Sequence, residues 1–243
     1  MSDINILILA GLAGLATLAG VFLGGIFQKT KGNIIFSASF AASLMILISV
    51  FELIPTAAKN LDIYLLLFWV LMGVSFIWLA DWIIPHLHSI KEIKNYREKS
   101  LVKVSYLVAI GLILHDFPEG FAIPSSFAYA DSLGWLVVLA TFIHNIPEGY
   151  ILTMYQLKSG SRGFYYKSAA LSMMATFSGA FLGIKLISEF QGLNPIFLSL
   201  AAGAMLFIAI HELLPESFKY HHLKTFSLGI AGAVAVYLVL MML

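Results

Sequence analysis

Two polar hexapeptides lie in the middle of long apolar segments: His115-Asp116-Phe117-Pro118-Glu119-Gly120 and His144-Asn145-Ile146-Pro147-Glu148-Gly149. On a helix, residues four apart share a face and residues three apart lie close together. His115 therefore points with Glu119, and Asp116 lies beside Glu119; His144, Glu148 and Asn145 repeat the pattern. If the two helices face each other antiparallel, His115, Glu119, His144 and Glu148 offer imidazole and carboxylate ligands to one ion. Asp116 and Asn145 form a second set, sharing the two glutamates as bridging ligands for a neighbouring ion. Nitrogen and oxygen donors without sulfur suit zinc, iron(II) or manganese(II) rather than copper(I). A single copy of this pattern is equally well explained by a structural polar contact between helices. Two copies on adjacent helices favour the metal.

The position of these groups sharpens the argument. Ionisable side chains at bilayer depth cost about 2.5–3.5 kcal/mol each on insertion scales, so three carboxylates cost on the order of 10 kcal/mol if nothing neutralises them. That is comparable with the whole stability of a typical domain, and a divalent cation is the simplest compensation. Pro118 and Pro147 cannot donate to the carbonyls of Leu114 and Ile143. Irregular backbone at this depth is tolerated mainly beside a cavity, so a kink next to the ligands is expected. Gly120 and Gly149 permit close backbone approach.

The elements that must position these residues are membrane helices. The chain has 243 residues, 60% hydrophobic and 11% charged, with mean hydropathy +0.93, which excludes a soluble class. Net charge is +1, so no electrostatic case for nucleic acid exists. The absence of cysteine removes thiolate metal sites and disulfides. Apolar runs of about 20 residues signal spanning helices. Eight are predicted, at roughly 4–27, 34–56, 63–84, 103–125, 133–157, 165–188, 195–217 and 223–243, and the longest connection is 85–102. Met1-Ser2-Asp3-Ile4 lacks the basic start of a signal peptide, so the first apolar stretch is expected to be a retained helix. The reading is one membrane domain over 1–243. With both termini outside, 12 of the 14 Lys and Arg fall in inner loops, leaving Lys59 and Lys185 near the outer face. The 85–102 connection is then cytoplasmic.

The chain also repeats itself. Thr17-Leu18-Ala19-Gly20-Val21-Phe22-Leu23-Gly24 in helix 1 is echoed by Thr176-Phe177-Ser178-Gly179-Ala180-Phe181-Leu182-Gly183 in helix 6, an offset of 159 residues. Glu52-Leu53-Ile54-Pro55 in helix 2 is echoed by Glu212-Leu213-Leu214-Pro215 in helix 7, an offset of 160. One duplication explains both. A displacement of five helices reverses direction through the membrane, so the expected fold is all-α, with eight transmembrane helices in a 3+2+3 arrangement built on an inverted repeat. That is a transporter architecture, with its site near the midplane. Gly20-x-x-x-Gly24 and Gly179-x-x-x-Gly183 allow tight helix packing, within one chain or between two.

The paired hexapeptides and the eight-helix layout resemble the ZIP (Zrt/Irt-like) family of divalent metal transporters, particularly its short prokaryotic members. The resemblance implies movement of zinc, often with iron, manganese, cobalt or cadmium, across the cell membrane toward the cytoplasm, with the metal as substrate and no organic cofactor. It implies a metal centre between helices 4 and 5, commonly binuclear. The first site maps to His115, Glu119, His144 and Glu148, the second to Asp116, Glu119, Asn145 and Glu148. Many members complete the second site with a helix 6 glutamate; Thr176 stands at that position here, and Asp116 stands where asparagine is frequent. Histidines are common in the family's longer inner loop, which implies transient metal capture by His86 and His88. A homodimer in the lipid bilayer is implied as well.

Glu52 falls near the outer end of helix 2, and His211 with Glu212 near the inner end of helix 7. An inverted repeat sets them on opposite sides of the central site, Glu52 toward the entrance and His211 and Glu212 toward the exit. The alternative is that each only reaches interfacial water. A zincin motif needs a second histidine four residues after His211, and Pro215 is there instead. No P-loop is present, so ATP drive within the chain is not expected. The rival readings are a membrane-embedded metal hydrolase or di-iron oxidase using the same ligands, and a channel or metal sensor. The inverted repeat and the proline-bearing ligand helices favour a secondary transporter over an enzyme.

Overall fold

In a computed structural model the described residues are 1–27, 30–83, 99–156, 162–218 and 221–242. His86, His88 and most of the 85–102 connection lie outside them. Among the described residues the chain is all helical, without strands: α1 (Asp3–Ile26), α2 (Lys31–Ala58), α3 (Ile63–Ile83), α4 (Lys99–Phe127), α5 (Asp131–Gln156), α6 (Arg162–Glu189), α7 (Asn194–Phe218) and α8 (Leu223–Leu240). Short polar residues start several of them. Ser2 accepts from the Asn5 N–H, Thr30 from Asn33, and Asp62 from Tyr64 and Leu65, satisfying donors that a helix cannot pair internally.

Seven of these helices are long and apolar enough to cross a membrane. The other, α4, has 29 residues, more than the ~20 a span requires, and carries the first hexapeptide in its C-terminal half. α4 begins at Lys99 rather than at 103, and α8 ends at Leu240 rather than at 243. At α4, hydropathy marks where the chain enters the apolar layer, whereas backbone hydrogen bonding already begins in the polar residues before it.

α4 and α5 stay helical through Pro118, Pro124 and Pro147. The departures from α-helical hydrogen bonding fall instead in α2 and α7. Ser49–Leu53 and Ala209–Leu213 are π-helical turns, in which the N–H of Ile54 bonds to the Ser49 carbonyl and that of Leu214 to the Ala209 carbonyl. Each sits just before a proline, Pro55 or Pro215, whose missing N–H leaves the preceding turn without its usual partner. A wide turn of this kind is frequent at functional sites.

α1, α4, α5 and α6 pack into one cluster, with α1 against α5 and α4 against α6. α2 packs on α8 and α5, and α7 packs on α3 and α4. The closest approaches are reciprocal. A Cβ on Gly20 of α1 would overlap the Ile146 carbonyl of α5, and one on Gly149 of α5 would overlap the Thr17 carbonyl of α1. Across the cluster, Gly179 of α6 meets the Phe117 carbonyl of α4 in the same way, and Gly120 of α4 meets Thr176 of α6. The small-residue motifs of helices 1 and 6 therefore serve packing within the chain. Between helices in lipid, where apolar burial gives little drive, such contact is a main source of cohesion.

Gly20→Ala or Gly179→Ala places a methyl against a neighbouring backbone that cannot rotate away, at a cost of roughly 1–3 kcal/mol. A methyl on Gly25 would meet nothing within 4 Å, and Gly25→Ala is expected to be neutral or stabilising by up to about 1 kcal/mol. Thermal unfolding in detergent checks the contrast; equal midpoints for the three variants would contradict the close approach.

Candidate metal centre

The two hexapeptides meet face to face between α4 and α5. The connection between Phe127 and Asp131 is short, so the helices are antiparallel and their ligand pairs cross. His115 Nε2 lies 3.3 Å from Glu148 Oε2, and His144 Nε2 lies 3.0 Å from Glu119 Oε1. His144, Glu119, Asp116 and Asn145 are completely buried, and His115 and Glu148 are 6% and 3% exposed.

Two overlapping groups of ligand atoms result. One is drawn from His115, Asp116 and Glu148, the other from Glu119, His144 and Glu148, and within each group the atoms lie within 4.8 Å of one another. Glu148 belongs to both. Donor atoms of a tetrahedral zinc site with bonds of ~2.1 Å stand about 3.4 Å apart, close to the 3.0 and 3.3 Å of the two cross-helix pairs. One further atom of each residue is buried without a hydrogen-bond partner in the protein: His115 Nδ1, Asp116 Oδ1, Glu119 Oε2, His144 Nδ1, Asn145 Oδ1 and Glu148 Oε1. Unpaired buried polar atoms are expensive. Four of the six are oxygens, the donor type that a hard or borderline cation accepts.

The remaining sequence-predicted residues that the structure describes have other partners. Asn145 donates its amide to the Ala13 carbonyl of α1 at 3.0 Å. Thr176 is buried, and its hydroxyl donates to the Ser172 carbonyl at 3.3 Å. Glu52, in the π turn of α2, accepts a 2.6 Å hydrogen bond from the Tyr237 hydroxyl of α8. His211, in the π turn of α7, stacks on Phe207 with ring centroids 4.8 Å apart. Glu212 occupies the same turn and is partly buried. Glu52, His211 and Glu212 belong to neither ligand group.

Two contacts escaped the sequence reading. Ser172 of α6 donates its hydroxyl to Asp116 Oδ2; its only signal is that it lies one helical turn before Thr176 and so shares its face. Tyr237 lies in an apolar helix with nothing local to tie it to Glu52.

A profile described as ZIP zinc transporter matches residues 88–241. Zinc transporter ZupT of Clostridium perfringens (strain 13 / Type A) is 32% identical over an alignment covering 93% of this chain and 91% of that protein. The chain belongs to the ZIP family. Two further relatives match more narrowly. The ZupT zinc transporters of Shigella dysenteriae serotype 1 (strain Sd197) and Escherichia coli O127:H6 (strain E2348/69 / EPEC) are each 37% identical over 122 residues. There the match spans about half the length of the relatives, 48% of each. Family membership and the seven apolar spans together make this ZIP protein a multi-pass membrane protein.

An ion held by this cluster stabilises the folded state by mass action, by about 2.7 kcal/mol at a free concentration one hundred times the dissociation constant. Zinc is expected to raise the thermal midpoint of the parent in detergent, and excess chelator to reverse it. His144→Ala should abolish most of the shift, whereas a shift of equal size in that variant would locate binding elsewhere.

Proposed function

We propose that this chain is a secondary transporter that carries divalent transition-metal ions, zinc foremost, across the cell membrane toward the cytoplasm through the His/Glu centre between α4 and α5. The observation that carries the reading is the crossed pair of buried contacts, His115 with Glu148 and His144 with Glu119, in a membrane protein of the ZIP family. Relatives named as zinc transporters support zinc; the nitrogen and oxygen donor set also accepts iron(II), manganese(II), cobalt(II) and cadmium(II). Asp116 and Asn145 extend the centre toward a second ion.

The architecture proposed is 3+2+3 with an inverted repeat. The reciprocal packing supports it: α1 meets α5 as α6 meets α4, and α2 meets α8 as α7 meets α3. The two π turns start at Ser49 and Ala209, the same 160-residue offset that separates Pro55 from Pro215. In this arrangement both termini lie outside, Glu52 belongs to the entrance, and His211 with Glu212 to the exit. His86 and His88 receive the ion on the cytoplasmic side. A homodimer completes the proposal.

Zinc entry into proteoliposomes, followed with a trapped fluorescent indicator, tests the transport step. The parent is expected to show saturable uptake, and His144→Ala and Glu148→Ala to lose at least ten-fold in rate while inserting normally. A parent that binds zinc but admits no zinc, iron(II) or manganese(II) would overturn the transporter reading.

Ligation requires neutral imidazoles and ionised carboxylates, so protons compete with the metal. Lowering the pH on the entry side should raise the zinc concentration needed for half-maximal uptake, with the maximal rate changing less. A half-saturation value independent of pH would argue against direct ligation by these side chains.

A further inference from the structure

We propose that Ser172 is a positioning residue that holds Asp116 so that a single carboxylate oxygen, Oδ1, faces the ion; this rests on the metal-centre reading above. Ser172 is completely buried in α6. Its hydroxyl donates to Asp116 Oδ2. Asp116 Oδ1 has no hydrogen-bond partner and lies 3.8 Å from His115 Nε2, in the ligand group shared with Glu148. One oxygen is tied back to α6 and the other is left for the metal.

The other half of the molecule supplies the control. The offset of 159 residues that relates α1 to α6 sets Ala13 against Ser172, and the hexapeptides set Asn145 against Asp116. Asn145 is held from α1 by donating its amide to the Ala13 carbonyl, and its Oδ1 is again the atom without a partner. Both halves thus anchor one polar atom of the side chain on the neighbouring helix and leave the Oδ1 oxygen unpartnered. They differ because an amide carries donors, whereas an ionised carboxylate only accepts. A helix interior offers carbonyls to a donor, but its N–H groups are already used. Asn145 can therefore be anchored by any residue at position 13, alanine included. Asp116 cannot be anchored by backbone and needs a side-chain hydroxyl at position 172. The Thr176 hydroxyl, one turn further on, does not take this part, because it is committed to the Ser172 carbonyl.

Hydrogen-bonding partners of metal ligands typically contribute 10–100-fold to metal affinity. Zinc affinity of the purified full chain, measured by competition with a fluorescent chelator, reads the effect. Ser172→Ala is expected to weaken zinc binding 10–100-fold in the parent background. In an Asp116→Asn background the same change should cost less than about 3-fold, since an amide at 116 has no second carboxylate oxygen for the hydroxyl to hold. A loss of packing alone would weaken both backgrounds alike, and that result would overturn the proposal, as would unchanged affinity of Ser172→Ala in the parent. Ser172→Cys retains a side-chain donor, though a weaker one; its affinity should fall between the other two, and it replaces Ser172→Ala in the comparison if that variant does not fold. A parent whose zinc affinity is indifferent to His144→Ala overturns the metal centre itself. Dependence on His144 without dependence on Ser172 overturns only the positioning role.

Discussion

Burying His115, Asp116, Glu119, His144 and Glu148 at one level between α4 and α5 is the constraint from which much of the surrounding structure follows. An imidazole and a carboxylate out of water are tolerable only if each finds a partner at hydrogen-bonding range. The crossed pairing of 115 with 148 and 119 with 144 works in one antiparallel register. A slip of one helical turn, ~5.4 Å, would break both pairs at once. Register has to be enforced from outside, because two helices joined by a short turn can still slide. The reciprocal glycine contacts of α1 on α5 and α6 on α4 do this: each seats a backbone carbonyl in a notch that no side chain could share.

The polar groups surrounding the five are short. Ser172, Thr176, Thr17 and Asn145 are all fully buried, and none is long enough to reach beyond its immediate neighbours. Long polar side chains would bring flexible charge into the centre and compete with its own ligands. Among the short groups, Ser172 holds one oxygen of Asp116 at little loss of rotamer freedom on burial, and leaves Oδ1 without a partner. The apolar outer faces of α3 and α8, with Tyr64, Trp82, Leu223 and Leu238 well exposed, match lipid and require nothing of this precision.

Most of the centre was legible in the sequence, because helical periodicity and ligand chemistry are both local. Four residues from His115 to Glu119 determine a shared face, and the repeat at 144 determines its partner. Seven helices among the described residues followed from apolar length, while the start of α4 did not, since it lies among lysine and serine where hydropathy carries no signal. Pro55 and Pro215 announced a missing donor, yet not that α2 and α7 would answer with a π turn. Pro118, Pro124 and Pro147 show the opposite outcome, an unbroken helix, from the same residue type. Ser172 and Tyr237 were invisible for a different reason. Their partners lie 56 and 185 residues away, and a lone hydroxyl in an apolar helix usually serves its own backbone, as Ser168 and Ser178 do.

The two π turns occupy related positions but present different chemistry. In α2 the turn carries Glu52 with one oxygen bound by the Tyr237 phenol; in α7 it carries His211, exposed and stacked on Phe207, followed by Glu212. A residue on a path must bind an ion more weakly than the centre, or the ion stops there. A carboxylate already sharing a proton donor has less charge density to offer than the free group, and a single carboxylate supplies too few donors to complete a coordination shell. An imidazole next to a carboxylate is a better ligand pair, yet its exposure keeps water in competition. On the proposed path, Glu52 and the His211–Glu212 pair would thus hold an ion more weakly than the buried His/Glu cluster by separate physical routes, hydrogen bonding at one and solvation at the other.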